Sequence, residues 1–206
     1  MREEQIDFVA GDVTLEGLLS LPPATAEVGV VVCHPHPLRG GDMHNNVVTA
    51  LVEAFRAAGL ATLRFNFRGA GNSGGHHDDG NAEQDDVRAA VTCLLAQQTF
   101  STVVVAGYSF GSFVGLKAGA ADARVHKLIG VALPIASRDC SFLQSVTKPK
   151  LLISGDRDAI SPIAELRRLA GALPGPTSLA VIDGADHFFW GREAMAAKAA
   201  TDFLVG

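Results

Sequence analysis

The chain has 206 residues, enough for one hydrophobic core and too few for two comfortable ones. Apolar residues make up 48% of it and charged residues 19%, the balance of a folded globular chain, which argues against intrinsic disorder. A formal charge of −5 leaves no basic surface for a phosphate backbone to grip, so nucleic acid is not an expected partner.

Taken from the start, Arg2-Glu3-Glu4-Gln5 is acidic where a secretory signal needs a basic start and an apolar run. No apolar stretch approaches the roughly 20 residues of a membrane helix, so the expectation is a cytoplasmic protein without membrane contact. Ile6–Ala10 and Val13–Leu19 alternate around Gly11-Asp12 and predict an antiparallel hairpin at a sheet edge. After Pro22-Pro23 the pattern changes. Val28–Cys33 is continuously apolar, as a parallel strand covered on both faces must be. Further strands of this kind are predicted at Leu60–Phe65, Thr102–Ala106, Leu128–Leu133 and Leu151–Ser154, with a last one at Leu179–Ile182.

Helical patterns separate most of these strands. Val47, Val48, Leu51, Val52 and Phe55 share one face that Gly59 ends, and Val87, Ala90, Val91, Leu94 and Leu95 repeat it. A third helix follows Ser109, and others are predicted near Pro162–Ala172 and Trp190–Leu204. Between Leu133 and Lys150 there is room only for a short helix around Arg138–Ser145. The alternation predicts a single α/β domain over residues 1–206, with a mostly parallel, doubly wound sheet and no cap domain. Cys33, Cys93 and Cys140 match neither a disulfide framework nor a zinc spacing and are read as buried thiols. No heptad or apolar stripe specifies an oligomeric state.

Chemistry concentrates at Gly107-Tyr108-Ser109-Phe110-Gly111, directly after a buried strand and before a helix of small residues. That strand, turn, helix context is what a nucleophile elbow requires, with glycines where a side chain would collide with the neighbouring strand or helix. A serine hydroxyl needs a base and an orienting acid, in the chain order Ser, Asp, His. His187 is the one histidine downstream of both candidate acids. Of those acids Asp158, two residues further into the loop after Leu151–Ser154, is preferred to Asp156, which stays a rival. Two backbone amides must hold the oxyanion. One is expected from Phe110; the second from the loop His34-Pro35-His36-Pro37-Leu38, where the prolines have no N–H, so His36 comes first and Leu38 second. Leu38, Tyr108 and Trp190, with Met43, are the candidates for substrate-lining residues.

The elbow, the loop Gly155-Asp156-Arg157-Asp158, the Asp186-His187 loop and the turn Arg68-Gly69-Ala70-Gly71-Asn72-Ser73 resemble the α/β-hydrolase superfamily across essentially the whole chain. The segment His34–Asn46 resembles its small bacterial branch, which lacks a lid. The resemblance implies an esterase-like serine hydrolase acting on a small-molecule ester, with no cofactor. Larger members commonly insert a lid after the sixth strand, where this chain has only Pro134–Pro149, so an open pocket and short acyl groups are expected. The second oxyanion donor departs from the pattern, because the usual His-Gly after the third strand is His34-Pro35 here.

Three other readings compete. Gly69-Ala70-Gly71-Asn72-Ser73-Gly74 fits a dinucleotide fingerprint, but no helix opens within it and no strand ending in an acid follows about 20 residues on. His34, His36, His76, His77, Asp78 and Asp79 lack the spacing of a closed metal site and are read as solvated loop residues, a few of them lining the substrate cleft. Arg39 and Arg68 either bind an anionic substrate or tie loops together. A non-catalytic binding protein on the same fold, or an acyltransferase, peptidase or lactonase on the same serine, is the functional rival.

Overall fold

The computed structural model describes residues 2–206. Strands β1 (Glu4–Ala10) and β2 (Val13–Ser20) form the antiparallel hairpin, turning at Gly11 with φ 66°, and Phe8 faces Leu15 across it. From there the chain alternates β3 (Val28–Cys33), α1 (Asn46–Ala57), β4 (Ala61–Phe65), α2 (Glu83–Leu95), β5 (Thr102–Tyr108), α3 (Phe110–Ala121), β6 (Lys127–Val131), β7 (Lys150–Gly155), α4 (Ile163–Ala172), β8 (Thr177–Ile182) and α5 (Glu193–Val205). One sheet of eight strands runs in the order β1-β2-β4-β3-β5-β6-β7-β8, parallel from β4 to β8. This is the α/β-hydrolase arrangement expected from the sequence, an antiparallel hairpin on a doubly wound parallel sheet without a cap.

The strands explain their own unbroken apolarity. Along β3, Val30 and Val32 point to the face covered by α1 and α5, while Val31 and Cys33 point to the face covered by α2, α3 and α4. Each fully buried side chain of this size stabilises the fold by about 1.5–3 kcal/mol before conformational entropy is counted. Helix α1 shows the same logic from the other side. Asn45 caps it by accepting the Val47 amide at 3.0 Å, and Val47, Val48, Leu51, Val52 and Phe55 form its buried stripe.

Topology decides where a site can form. The chain steps from β3 outward to β4, then crosses back past β3 to β5, so the crossover direction reverses between β3 and β5. At such a switch point the loops leaving the two strands splay apart and open a crevice at their carboxyl ends. The two loops are His34–Gly41 and the turn at Ser109.

Several expected boundaries shift, each for a local reason. Strand β6 stops at Val131, because Ala132 takes φ 49° and turns its amide to Ile153 O at 2.7 Å. The last helix starts at Glu193 rather than Trp190, since Phe189 and Gly191 have φ of 56° and 70°, which no right-handed helix accommodates. The segment expected to be a helix around Arg138–Ser145 is a single 3-10 turn, Ser141–Ser145. No helix among the described residues is long and apolar enough to cross a membrane.

Candidate active site

Ser109 sits between β5 and α3 with φ 54° and ψ −119°, a conformation that costs a non-glycine residue about 1–3 kcal/mol. The flanking glycines are what make the turn possible. A Cβ on Gly107 would run into the backbone of Gly111, and one on Gly111 into the carbonyls of Cys33 and His34 at the end of β3. The serine is pinned from below by its amide, which donates to Val131 O at 2.9 Å, and by Ser112 Oγ, which donates to Ser109 O at 2.6 Å.

Ser109 Oγ lies 2.9 Å from His187 Nε2, and His187 Nδ1 lies 2.8 Å from Asp158 Oδ2. The second carboxylate oxygen of Asp158 accepts the amides of Ile160 and Ser161, both at 2.8 Å. Such a carboxylate can only accept, so the imidazole proton belongs on Nδ1 and Nε2 is left with a lone pair facing the serine hydroxyl. Asp158 is only 4% exposed and His187 8%, which keeps both hydrogen bonds out of competition with water.

The rival Asp156 points elsewhere, its Oδ1 accepting the Gly184 amide at 2.8 Å and fastening the two loops together. Asp186 accepts the Phe188 amide at 2.9 Å in a local turn. Two residues whose part the sequence did not reveal hold the histidine loop. Tyr108, 3% exposed, donates its hydroxyl to His187 O at 2.7 Å, and burial with the nearby Asp158 pushes that phenol well above its ordinary range. Asn46, the first residue of α1, donates to Phe188 O at 3.2 Å and to Glu193 Oε1 at 2.8 Å. Neither pairing is visible without the fold, because the partners lie far apart in the chain.

These groups open on a cleft of about 1010 Å³. Phe110 and His36 both line it, and the backbone amide of neither is engaged in a hydrogen bond among the described residues. Phe110 N belongs to the first turn of α3, whose amides lack intrahelical acceptors and carry the positive end of the helix dipole. The Phe110 ring packs at a tilt against His36, with centroids 4.9 Å apart, and edge-to-face against Phe67 at 5.8 Å. Leu38 and Trp190 are corrections: they are 73% and 71% exposed and lie outside the cleft wall, since the turn Pro37–Arg39 lifts Leu38 outward and the left-handed Phe189 turns Trp190 away. Ile160 and Phe188 stand in their place. Met43 is buried, its amide donating to Asn66 Oδ1 at 2.8 Å. Tyr108 does line the cleft.

The remaining polar residues sort into supports. His34 is wholly buried, with Nε2 accepting the Phe67 amide at 3.0 Å and Nδ1 2.6 Å from Pro35 O, an arrangement only a neutral imidazole satisfies. Arg68 forks onto the fully buried Asp86 at 2.6 and 3.0 Å, so it ties the turn after β4 to α2. Glu83, also fully buried, accepts the amides of Asp78 and Gly80 and lies 2.7 Å from His77 Nδ1. His36, His77 and Asp79 each place a ligand-type atom within 4.8 Å of the others; His36 and Asp79 line the cleft as some of these loop residues were expected to, Asp79 is exposed, and the two histidines are half-buried against Phe110.

Known proteins share this geometry to different extents. A structure described as an alpha-beta serine hydrolase homologue from Coxiella burnetii is 33% identical, covers 100% of this chain and 99% of its own, and superposes with a TM-score of 0.91. A Xanthomonas campestris structure, described as a serine hydrolase without lid, is 33% identical over 99% of this chain and 94% of its own, with a TM-score of 0.89. A Mycobacterium tuberculosis protein that bears the name of a phosphoribosyl transferase is 32% identical over 100% of this chain, which spans only 46% of that protein's length. The model of the alpha/beta hydrolase domain matches residues 29–202, a span that runs from β3 into α5 and holds the turn at Ser109 and the loops carrying Asp158 and His187; the chain belongs to that family.

Proposed function

We propose that this protein is a serine esterase that cleaves small carboxylic esters through an acyl-enzyme on Ser109. The observation that carries the reading is the unbroken hydrogen-bond line from Ser109 Oγ through His187 to the buried Asp158, opening on the cleft. Ser109 Oγ attacks the ester carbonyl carbon while its proton passes to His187 Nε2, and Asp158 stabilises the imidazolium that results. The carbonyl π electrons move onto oxygen, held by the amides of Phe110 and His36. Collapse of the tetrahedral adduct breaks the carbon–oxygen bond to the alcohol, which takes the proton from His187. Water then repeats the sequence on the acyl-enzyme, giving its proton to His187 and releasing the carboxylic acid and free Ser109.

Short acyl groups fit best, because the segment after β6 supplies one 3-10 turn and nothing to enclose a long chain. Replacing Ser109 by Ala should lower ester turnover by several orders of magnitude and abolish labelling by a fluorophosphonate, with the fold intact. Unchanged turnover in that variant refutes the assignment. Wild-type protein that is folded but takes no label favours a non-catalytic binding protein instead. A panel of nitrophenyl esters of rising chain length tests the acyl preference; a steady rise with length overturns it.

A further inference from the structure

The cleft carries charge that ester hydrolysis as such does not use. Its permanently charged lining residues are Arg39, Arg138 and Asp79, an excess of cations in a chain whose net charge is −5. Arg39 closes the turn Pro37–Arg39, is exposed, and has neither a hydrogen-bond nor an ion-pair partner for its guanidinium among the described residues. Arg138 lies with its guanidinium 5.9 Å from the Phe110 ring centre, beside the nucleophile turn, and pairs with Asp79 Oδ1 at 2.5 Å. Between them His36 reports the local field: burial first, then the charges of His77, Arg39 and Arg138, hold it below its ordinary pKa, against the pull of Asp79.

Three neighbouring side chains could instead suggest a divalent cation, since atoms of His36, His77 and Asp79 lie within 4.8 Å of one another. The field points the other way. Asp79, the one anionic member, is already neutralised by Arg138, and Arg39 adds a second cation with nothing to balance it. An anion satisfies Arg39 without disturbing any existing pair, and the guanidinium fork suits a carboxylate in particular.

We infer that the cleft selects esters bearing a carboxylate remote from the scissile carbonyl, and that Arg39 is the residue that recognises it. This rests on the esterase reading for the identity of the reacting bond. Binding is measured by calorimetry with anilides, which mimic esters without being readily cleaved. Glutaranilic acid against valeranilide places the carboxylate on the acyl side; para-acetamidobenzoate against acetanilide places it on the leaving-group side.

In at least one pair the anionic member should bind about tenfold tighter, the size expected for one charge-assisted hydrogen bond, and the advantage should shrink as salt is added. Arg39→Gln should bring that ratio close to one, while Lys198→Gln, which removes an equal charge on α5, should leave it in place. Equal binding in both pairs, or a preference that survives Arg39→Gln, overturns the inference. Hydrolysis of para-nitrophenyl valerate and para-nitrophenyl hemiglutarate separates the two claims. If neither ester is cleaved the esterase reading fails while the calorimetry still decides the anion site, and if both are cleaved at equal efficiency with equal anilide binding only the anion site fails.

Discussion

Lowering the pH should weaken this fold through one side chain, His34. The imidazole is wholly buried at the end of β3, where it accepts the Phe67 amide and donates to Pro35 O. Burial outweighs the pull of that carbonyl and of Asp42 and lowers its pKa from 6.5 to about 4. A depressed histidine stabilises the fold in its neutral form. That contribution is complete above the unfolded value of 6.5 and is lost as the pH falls toward the folded value of about 4. With these two values the loss amounts to about 2 kcal/mol at pH 5 and about 3 kcal/mol at pH 4, out of a typical total of roughly 5–15 kcal/mol. Urea unfolding of the wild type and of His34→Gln, each at about pH 7 and about pH 5, isolates the effect, because every other titrating group is common to both proteins. The variant starts less stable, having lost a fitted imidazole, but its stability should fall by about 2 kcal/mol less over that range. Parallel losses in the two proteins would refute the reasoning. The consequence reaches the cleft, since His34 anchors the loop that carries His36 and its carbonyl packs where Gly111 has no side chain.

Three further outcomes are expected. Asp158→Asn, which disturbs the His187 tautomer, should lower kcat by about 10⁴-fold, whereas Asp156→Asn, touching only the Gly184 amide, should cost less than about tenfold; steady-state ester kinetics on both variants reverse the assignment if the order is the other way. Ser109→Gly should be more stable than Ser109→Ala by about 1 kcal/mol, because glycine relieves the φ of 54° that alanine inherits; equal melting temperatures for these two inactive variants would mean the turn stores no strain. Gly111→Ala should destabilise by about 3 kcal/mol or more, since its Cβ meets the Cys33 and His34 carbonyls, and a neutral result in thermal unfolding would show that β3 and α3 can separate freely.

Some of this was written in the chain in readable form. The short, valine-rich run Val28–Cys33 after Pro22-Pro23 reads as a strand covered on both faces from its length and β-branched content, and the spacing of Val47, Val48, Leu51, Val52 and Phe55 reads as an amphipathic helix from its periodicity. The turn at Ser109 was legible in part for a local reason: a Cβ on Gly107 would meet Gly111 within the same five residues, whereas Gly111 answers to Cys33 and His34 across the sheet. The choice of Asp158 over Asp156 was less local, and the fold places Asp158 against His187 because the chain turns back after Gly155 while Asp156 is taken up by Gly184.

What no run of residues could convey was direction in space. Leu38 and Trp190, apolar neighbours of the loop after β3 and of His187, read as cleft wall in one dimension; a 3-10 turn and a left-handed residue aim them at solvent. Tyr108, Asn46 and Glu83 gained their parts from partners the chain brings to them only on folding. Arg39 and Arg68 looked alike in sequence, yet burial of Asp86 claims Arg68 for the framework and leaves Arg39 facing the cleft. The elements, their order and the glycine-flanked turn at Ser109 were determined by the sequence itself, since each depends on neighbours a few positions away. Which side chains face the cleft was decided only by the tertiary structure, because that depends on how loops from β3, β4, β5, β6, β7 and β8 converge at one edge of the sheet.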